Sequence, residues 1–278
     1  MFLRCGTFNL DISTPRIMGI VNITPDSFSD GGQYLKQNAA LAYAHLLMQA
    51  GADILDIGGE STRPGAVAIS EQEELDRVMP LIEALRDAPI PLSIDTSKPA
   101  VMRATIAAGV SMVNDINALQ QPEALAIVAA SEVAVCLMHK RGNPQTMQQQ
   151  AEYQDVVAEV QQFLRERMAA IQAAGIAQSR IIIDPGFGFG KTLEHNLALL
   201  QQLTAFAGLG VPLLVGLSRK AMLGAITGQD VGSRVYASVA AALLAVQRGA
   251  NIVRVHDVQA TRDALKVWQA VLATPSNR

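Results

Sequence analysis

The sequence is short of aromatics, cysteine and charge, and it has no long apolar run. Seven Phe, four Tyr and one Trp make up 4% of its 278 residues. Charged residues reach 17%, against roughly 25% in an ordinary soluble domain. Two cysteines, Cys5 and Cys136, are too few for a disulfide scaffold or a multi-cysteine zinc site. Acidic residues slightly outnumber basic ones, for a formal net charge of −3, and no basic block occurs. The electrostatic footprint of a nucleic-acid binder is therefore missing. A mean hydropathy of +0.22 poses the question of a membrane. The longest uncharged stretch, His195 to Ser218, is broken by Asn196, Gln201, Gln202, Gly208, Gly210 and Pro212, so it holds no span of ~20 apolar residues. Met1 to Asp11 shows neither an apolar signal core nor a small-residue cleavage site. The expectation is a soluble, cytoplasmic protein with reduced thiols and no nucleic-acid or membrane partner.

What is present is alternation. Short Val/Ile/Leu runs recur at Ile17–Asn22, Ile54–Ile57, Leu92–Asp95, Met112–Asp115, Ala134–His139, Ile181–Asp184, Leu213–Gly216 and Ile252–His256. Helical patterns separate them, at Asn38–Ala50, Glu71–Arg86, Ala100–Ala108, Pro122–Ala130, Glu152–Ala173, Leu193–Phe206 and Ser233–Arg248, and a last helix is expected at Thr261–Leu272. Ser70-Glu71-Gln72-Glu73 fits a capping box. Gly51, Gly109, Gly175 and Gly249 stand where a left-handed residue would end a helix just before a strand. Parallel strands need crossover helices, and strands apolar throughout suit a sheet covered on both faces. Eight such units in this length predict a (β/α)8 barrel in a single domain, residues 1–278. No linker or charge run divides the chain, and no G-x-G-x-x-G follows the first strand.

In such barrels chemistry gathers where strands end. Here every strand end carries polar residues: Asn22, Asp56 with Glu60, Thr62 and Arg63 beyond it, Asp95, Asn114 with Asp115, His139, Asp184, Ser218-Arg219-Lys220, and Arg254 with His256. Any one Asn or Asp could be a helix cap; Lys, Arg and His at the same places are harder to assign to capping. Asp95, Asn114, Asp184 and Lys220 can address the donor and acceptor edge of a planar heterocycle. Arg63, Arg254 and His256, with the hydroxyls of Ser61 and Thr62, suit phosphate-like anions. Asn22 offers a hard oxygen of the kind Mg²⁺ accepts. Asp56 ranks below Asp95 and Asp184, as a residue internal to the barrel end. Together these residues point to an enzyme acting on a phosphorylated heterocycle. Two loops, Thr24-Pro25-Asp26-Ser27-Phe28-Ser29-Asp30-Gly31-Gly32 and Gly58 to Gly65, have the glycine-bounded, hydroxyl-rich make-up of segments that close over a ligand.

Other features read as structural. Gly190-Lys191-Thr192 is like the end of a P-loop, but the required earlier glycine is Pro185, so the phosphate cradle fails. The glycines of Gly186-Phe187-Gly188-Phe189-Gly190 are read as letting the backbone turn close to a ligand. His45 and His195 are assigned to helix surfaces, the methionines to core filling, and Cys136 to a buried, inert position.

With these residues in place, the chain resembles the dihydropteroate synthase family, the sulfonamide-inhibited enzymes of folate synthesis. The resemblance is carried by Met18 to Gly32, Gly58 to Gly65, Ser93 to Pro99, Val113 to Ile116, Leu137 to His139 with Gly142 to Pro144, Asp184 to Lys191, Ser218 to Lys220 and Ile252 to Asp257. It spans Ile17 to Leu272. It implies a barrel that joins 6-hydroxymethyl-7,8-dihydropterin diphosphate to 4-aminobenzoate, giving dihydropteroate and pyrophosphate with Mg²⁺. Carried over by motif, Asp95, Asn114, Asp184 and Lys220 hold the pterin. Thr62, Arg63, Arg254 and His256 meet the diphosphate or the loops around it, and Asn22 reaches Mg²⁺. Phe28, Pro64 and Phe189 form the aminobenzoate pocket with Lys220. The catalytic set implied is Lys220, Asp184, Asp95, Arg254 and His256. A homodimer and sensitivity to sulfonamides are expected.

The chain departs from the family pattern at Lys140-Arg141, where Met-Gln is frequent, and at Ala221, where many relatives have Ser. Two competitors share the pterin-reading positions. A pterin-binding methyltransferase barrel usually lacks the first two loops, which this chain has. A catalytically silent pterin-binding homologue would lose the diphosphate and metal groups, whereas Asn22, Arg254 and His256 are present.

Overall fold

A computed structural model of the chain describes residues 1–23, 33–61, 67–142 and 151–274, with the backbone alone over 33–36. Its centre is a sheet of eight parallel strands: β3 (Arg16–Asn22), β4 (Ile54–Gly58), β5 (Leu92–Asp95), β6 (Met112–Asp115), β7 (Ala134–Met138), β8 (Ile181–Asp184), β9 (Leu214–Val215) and β10 (Ile252–Val255). Each pairs with its neighbours in chain order, and β10 pairs with β3. A bridge between Ile183 and Leu213 joins β8 to the residue before β9 and closes the circle. The expected (β/α)8 barrel is the observed fold.

Helices cover the outside: α1 (Gln33–Gln49), α2 (Glu71–Ala84), α3 (Pro99–Ala107), α4 (Pro122–Ala129), α5 (Val156–Ala173), α6 (Leu193–Gln201), α7 (Ala221–Thr227), α8 (Val235–Gln247) and α9 (Val258–Ala273). Local chemistry sets their ends. Ser70 Oγ accepts the Glu73 N–H at 3.1 Å, but the Glu73 carboxylate pairs with Arg77 and does not close the box. Asp155 caps α5 by accepting from Val157 and Ala158, both at 3.0 Å, so this helix starts later than the Glu152 expected. The single helix expected over Leu193–Phe206 stops at Gln201, and a 3₁₀ turn, Leu203–Leu209, follows. The four helix-ending glycines have φ between +94° and +110°, where a side chain would be strained. Among the described residues no helix is long and apolar enough to cross a membrane.

Strand alternation divides the apolar residues in two. Ile17, Leu55, Ile94, Val113, Val135, Ile183 and Val253 pack outward under the helices. Met18, Ile54, Met112, Ala134, Cys136, Ile182, Leu214 and Ile252 fill the barrel. An antiparallel hairpin that the sequence reading did not anticipate, β1 (Phe2–Cys5) and β2 (Phe8–Asp11), adds Leu3, Cys5 and Ile12 to this inner cluster. The hairpin plugs one end of the barrel. Its two-residue loop, Gly6-Thr7, begins with a glycine at φ +57°, as tight hairpins require.

Candidate active site

Two residues beyond the inner layer, which is apolar except at Ser93, the inward positions carry a charge or an amide. Ile54 is followed by Asp56, Ser93 by Asp95, Met112 by Asn114, Ile182 by Asp184, and Ile252 by Arg254. A period of two thus lifts three carboxylates, an amide and a guanidinium to the carboxyl ends of the strands, opposite the plug.

Arg254 joins most of them. Its Nε donates to Asp56 Oδ2 at 2.6 Å and its Nη2 to Asp95 Oδ2 at 2.8 Å. Asn114 Nδ2 donates to the same Asp56 oxygen at 3.1 Å. Asp56 is fully buried, and its Oδ1 has no hydrogen-bond partner among the described residues. Burial by itself would lower the Arg254 pKa, but Asp56 and Asp95 outweigh it and raise that pKa further. Two carboxylates share one guanidinium. Burial pushes Asp95 up to about 7; Arg254 opposes the rise, and Asp56 adds to it.

Asp184, also buried, accepts the Gly186 N–H at 2.7 Å. Burial raises its pKa against that hydrogen bond and the charges of Lys220 and Lys191. Lys220 donates to the Phe187 carbonyl, and its Nζ lies 4.3 Å from the centre of the Phe189 ring. Burial lowers Lys220 to about 8, opposed by Asp184. His256 Nδ1 lies 2.9 Å from Ser218 Oγ, which also accepts the His256 backbone N–H at 3.1 Å. Asp95, Asn114, Arg254 and Asp56 therefore form one network; Asp184 and Lys220 each meet the Gly186–Phe189 turn, Asp184 at Gly186 and Lys220 at Phe187 and Phe189; His256 stands with Ser218, two residues beyond Arg254. Arg254 does not fall cleanly into an anion-binding set, since two of its nitrogens already serve carboxylates. Phe28, Thr62, Arg63 and Pro64 lie outside the described residues.

For the metal, Asn22 Oδ1 lies beside Gly58, as does Asp95 Oδ2, which already accepts from Arg254. A Cβ there would meet them at 3.5 and 3.9 Å. Among the described residues no group of three or more His, Cys, Asp or Glu could hold an ion. The oxygens fit a hard cation that keeps most of its waters and arrives with phosphate oxygens, with Asn22 as the neutral protein donor.

Three features were undervalued or left open in the sequence. Asp56 is central, and its signal was its place two residues after the inward Ile54. Lys191, set aside as a failed P-loop, is 2% exposed and bonds to the loop that precedes it. Arg141 has its guanidinium 4.4 Å from the Tyr153 ring centre and pairs with Glu159 at 3.3 Å, which accounts for one cation of the Lys140-Arg141 departure. Lys140 is half-buried and feels Asp115.

A parallel barrel whose mouth concentrates Asp, Asn, Lys and Arg narrows the possibilities, and comparison with known proteins decides among them. A family model described as pterin binding enzyme matches residues 18–256. Haemophilus influenzae dihydropteroate synthase is 51% identical, over 94% of this chain and 95% of its own length. The chain belongs to the dihydropteroate synthase family. Two solved structures of that family superpose closely. The Xanthomonas albilineans dihydropteroate synthase with 4-aminobenzoic acid is 55% identical, covers 99% of both chains and gives a TM-score of 0.93. The Burkholderia cenocepacia dihydropteroate synthase complexed with 7,8-dihydropteroate is 51% identical, covers 98% of this chain and 96% of its own, and gives 0.90.

Proposed function

We propose that this barrel is a transferase that condenses 6-hydroxymethyl-7,8-dihydropterin diphosphate with 4-aminobenzoate, forming 7,8-dihydropteroate and pyrophosphate. The observation that carries this reading is the inward set Asp95, Asn114, Asp184 and Lys220 at the open mouth of a barrel from this family. Asp95 and Asp184 accept N–H groups of the pterin ring, Asn114 both donates and accepts, and Lys220 donates to a ring acceptor. Arg254, held by Asp56 and Asp95, fixes those carboxylates and brings positive charge to the diphosphate side. His256 and the loop residues Thr62 and Arg63 complete that side. Phe28, Pro64 and Phe189 border the aminobenzoate.

In the reaction the C–O bond to diphosphate breaks with its electron pair on the departing oxygen. The aniline nitrogen bonds the methylene carbon and then sheds a proton. Fixed positive groups stabilise the charge that develops on the leaving group, and no protein nucleophile is required. Mg²⁺, when bound through Asn22, supplies further charge neutralisation to the diphosphate.

The deciding experiment is pyrophosphate release by the purified protein given both substrates, with and without Mg²⁺. Release that depends on both substrates and on the metal supports the reading. Release indifferent to 4-aminobenzoate, or none, overturns it. The same barrel is proposed to act as one unit over residues 1–278, in the cytoplasm, and to be inhibited by sulfonamides, which present an aniline para to an acidic group as 4-aminobenzoate does. It is proposed to pair as a homodimer through α7–α9, where Ile226, Tyr236, Leu244, Val267 and Val271 are exposed. Light scattering reporting only the monomer mass would remove the dimer from this account.

A further inference from the structure

Lys191 is a lysine almost wholly withdrawn from solvent. Its Nζ lies 2.9 Å from the Gly186 carbonyl, 3.0 Å from His139 Nδ1, 3.1 Å from the Phe189 carbonyl and 3.4 Å from the His139 carbonyl. These partners belong to two segments: the turn between β8 and α6, and the residue just after β7. An ammonium has three N–H groups, enough to hold both ends of the turn to His139 at once. Burial and the charges of Lys191 and Arg141 press the His139 pKa down to about 2. Its ring is therefore neutral, and Nδ1, which faces the Lys191 Nζ, is the acceptor, leaving the hydrogen on Nε2. Burial lowers Lys191 itself to about 7, opposed by Asp184 and reinforced by Lys220 and Arg141.

The turn is pressed hard against the end of β7. A Cβ on Gly186 would stand 1.8 Å from the His139 carbonyl oxygen, and one on Gly190 would stand 2.3 Å from that of Arg141. Tyr153 donates to the Gly190 carbonyl at 3.0 Å. On its other side the same turn offers the Phe187 carbonyl and the Phe189 ring to Lys220. Lys191 thus grips from behind the segment on which Lys220 rests in front.

We propose that Lys191, with His139 as its acceptor, is a positioning residue that fixes Phe189 and the Lys220 ammonium in the aminobenzoate half of the site. This inference rests on the synthase reading above. Asp95 and Asn114 ride on other strands, and Asp184 ends β8 and takes only the Gly186 N–H from the turn, so the pterin keeps most of its anchors, whereas 4-aminobenzoate meets the turn through both Phe189 and Lys220. The loss of Lys191 should therefore fall on one substrate more than the other.

The test is Lys191→Met, which keeps the length of the side chain and removes its N–H groups. The KM for 4-aminobenzoate should rise about tenfold or more, since small misplacements of binding groups cost factors of this size. The KM for the pterin diphosphate should stay within about threefold, and inhibition by a sulfonamide should weaken in step with the 4-aminobenzoate KM. Equal rises in both KM values, or no rise in either, would overturn the proposal. Should this variant fail to fold, His139→Leu removes one acceptor and should show the same split, and His139→Gln, which keeps an acceptor, should narrow it; no split in His139→Leu refutes the idea. Wild-type protein assayed alongside separates the two claims. Absent wild-type turnover defeats the synthase reading, whereas normal wild-type turnover with an unsplit variant defeats this inference alone.

Discussion

Replacing Asp56 by Asn tests the sharing of one guanidinium between two carboxylates. In the native protein Asp56 Oδ2 takes hydrogen bonds from Arg254 Nε at 2.6 Å and Asn114 Nδ2 at 3.1 Å, and Asp95 takes the other arm of Arg254. Asp95 is raised from its ordinary 3.8 to about 7. A carboxyl raised on folding contributes stability that is complete below its unfolded pKa and is lost as pH climbs through the folded one. A span of ~3 units at ~1.36 kcal/mol each makes that loss on the order of 4 kcal/mol between pH 4 and pH 8. In Asp56→Asn the neighbouring negative charge is gone and Arg254 serves Asp95 alone, so the Asp95 pKa falls and less is lost. At pH 5 the variant mainly lacks the buried Asp56–Arg254 pair, a deficit of about 3 kcal/mol. By pH 8 relief at Asp95 should reduce the deficit by ~1–2 kcal/mol, only part of the total because burial, which the substitution leaves in place, is the largest cause of the shift. Urea unfolding followed through Trp268, the only tryptophan, measures both values. A deficit that is constant with pH, or grows as pH rises, would refute the sharing argument.

Three further outcomes follow from the same geometry. Lys220→Ala and Asp184→Ala should each lower turnover by at least ~10²-fold while the circular dichroism spectrum is retained; near-normal rates in either would remove those residues from the chemistry. Lys98 stands 2.6 Å from the fully buried Glu74 and 2.9 Å from Glu60, so Lys98→Met should cost about 3–5 kcal/mol by stranding Glu74. The double variant Lys98→Met/Glu74→Leu should recover most of that in thermal unfolding, and a double variant no better than the single would show the pair is not the cause. Burial raises Cys5 to about 12 and Cys136 well above its ordinary value, so neither thiol should react with a disulfide reagent at pH 8 until denaturant is added; rapid labelling of native protein would contradict the buried placement.

The strands were legible because their ends are chemically marked. Leu92–Asp95, Met112–Asp115 and Ile181–Asp184 lie where expected, each an apolar run that stops at an acidic residue. β9 shrinks to Leu214–Val215 because Leu213 and Gly216 satisfy the composition of a strand without its full pairing. The β1–β2 hairpin escaped notice since its inward side is only Leu3 and Cys5, too short a pattern to separate from a loop. Asp56 was ranked low because its meaning depends on Arg254, 198 residues away in sequence. Spacing sets Lys191 apart from a P-loop, yet spacing says nothing about a side chain that folds back on its own turn. Asp95, Asn114, Asp184, Lys220, Arg254 and His256 could be named because strand ends in a barrel share one face. Their grouping could not be, since it depends on which strands are neighbours and which nitrogens are already engaged.

The hairpin plug also bears on how the molecule assembles. Leu3 and Cys5 share one inner cluster with Ile252, so residues near both ends of the sequence meet in a single layer. Contacts of that separation form late, because the chain between them must be ordered first. The floor of the barrel should therefore be the last part to consolidate and the first to loosen. A substitution there, such as Ile252→Ala, should speed unfolding while leaving the refolding rate nearly unchanged.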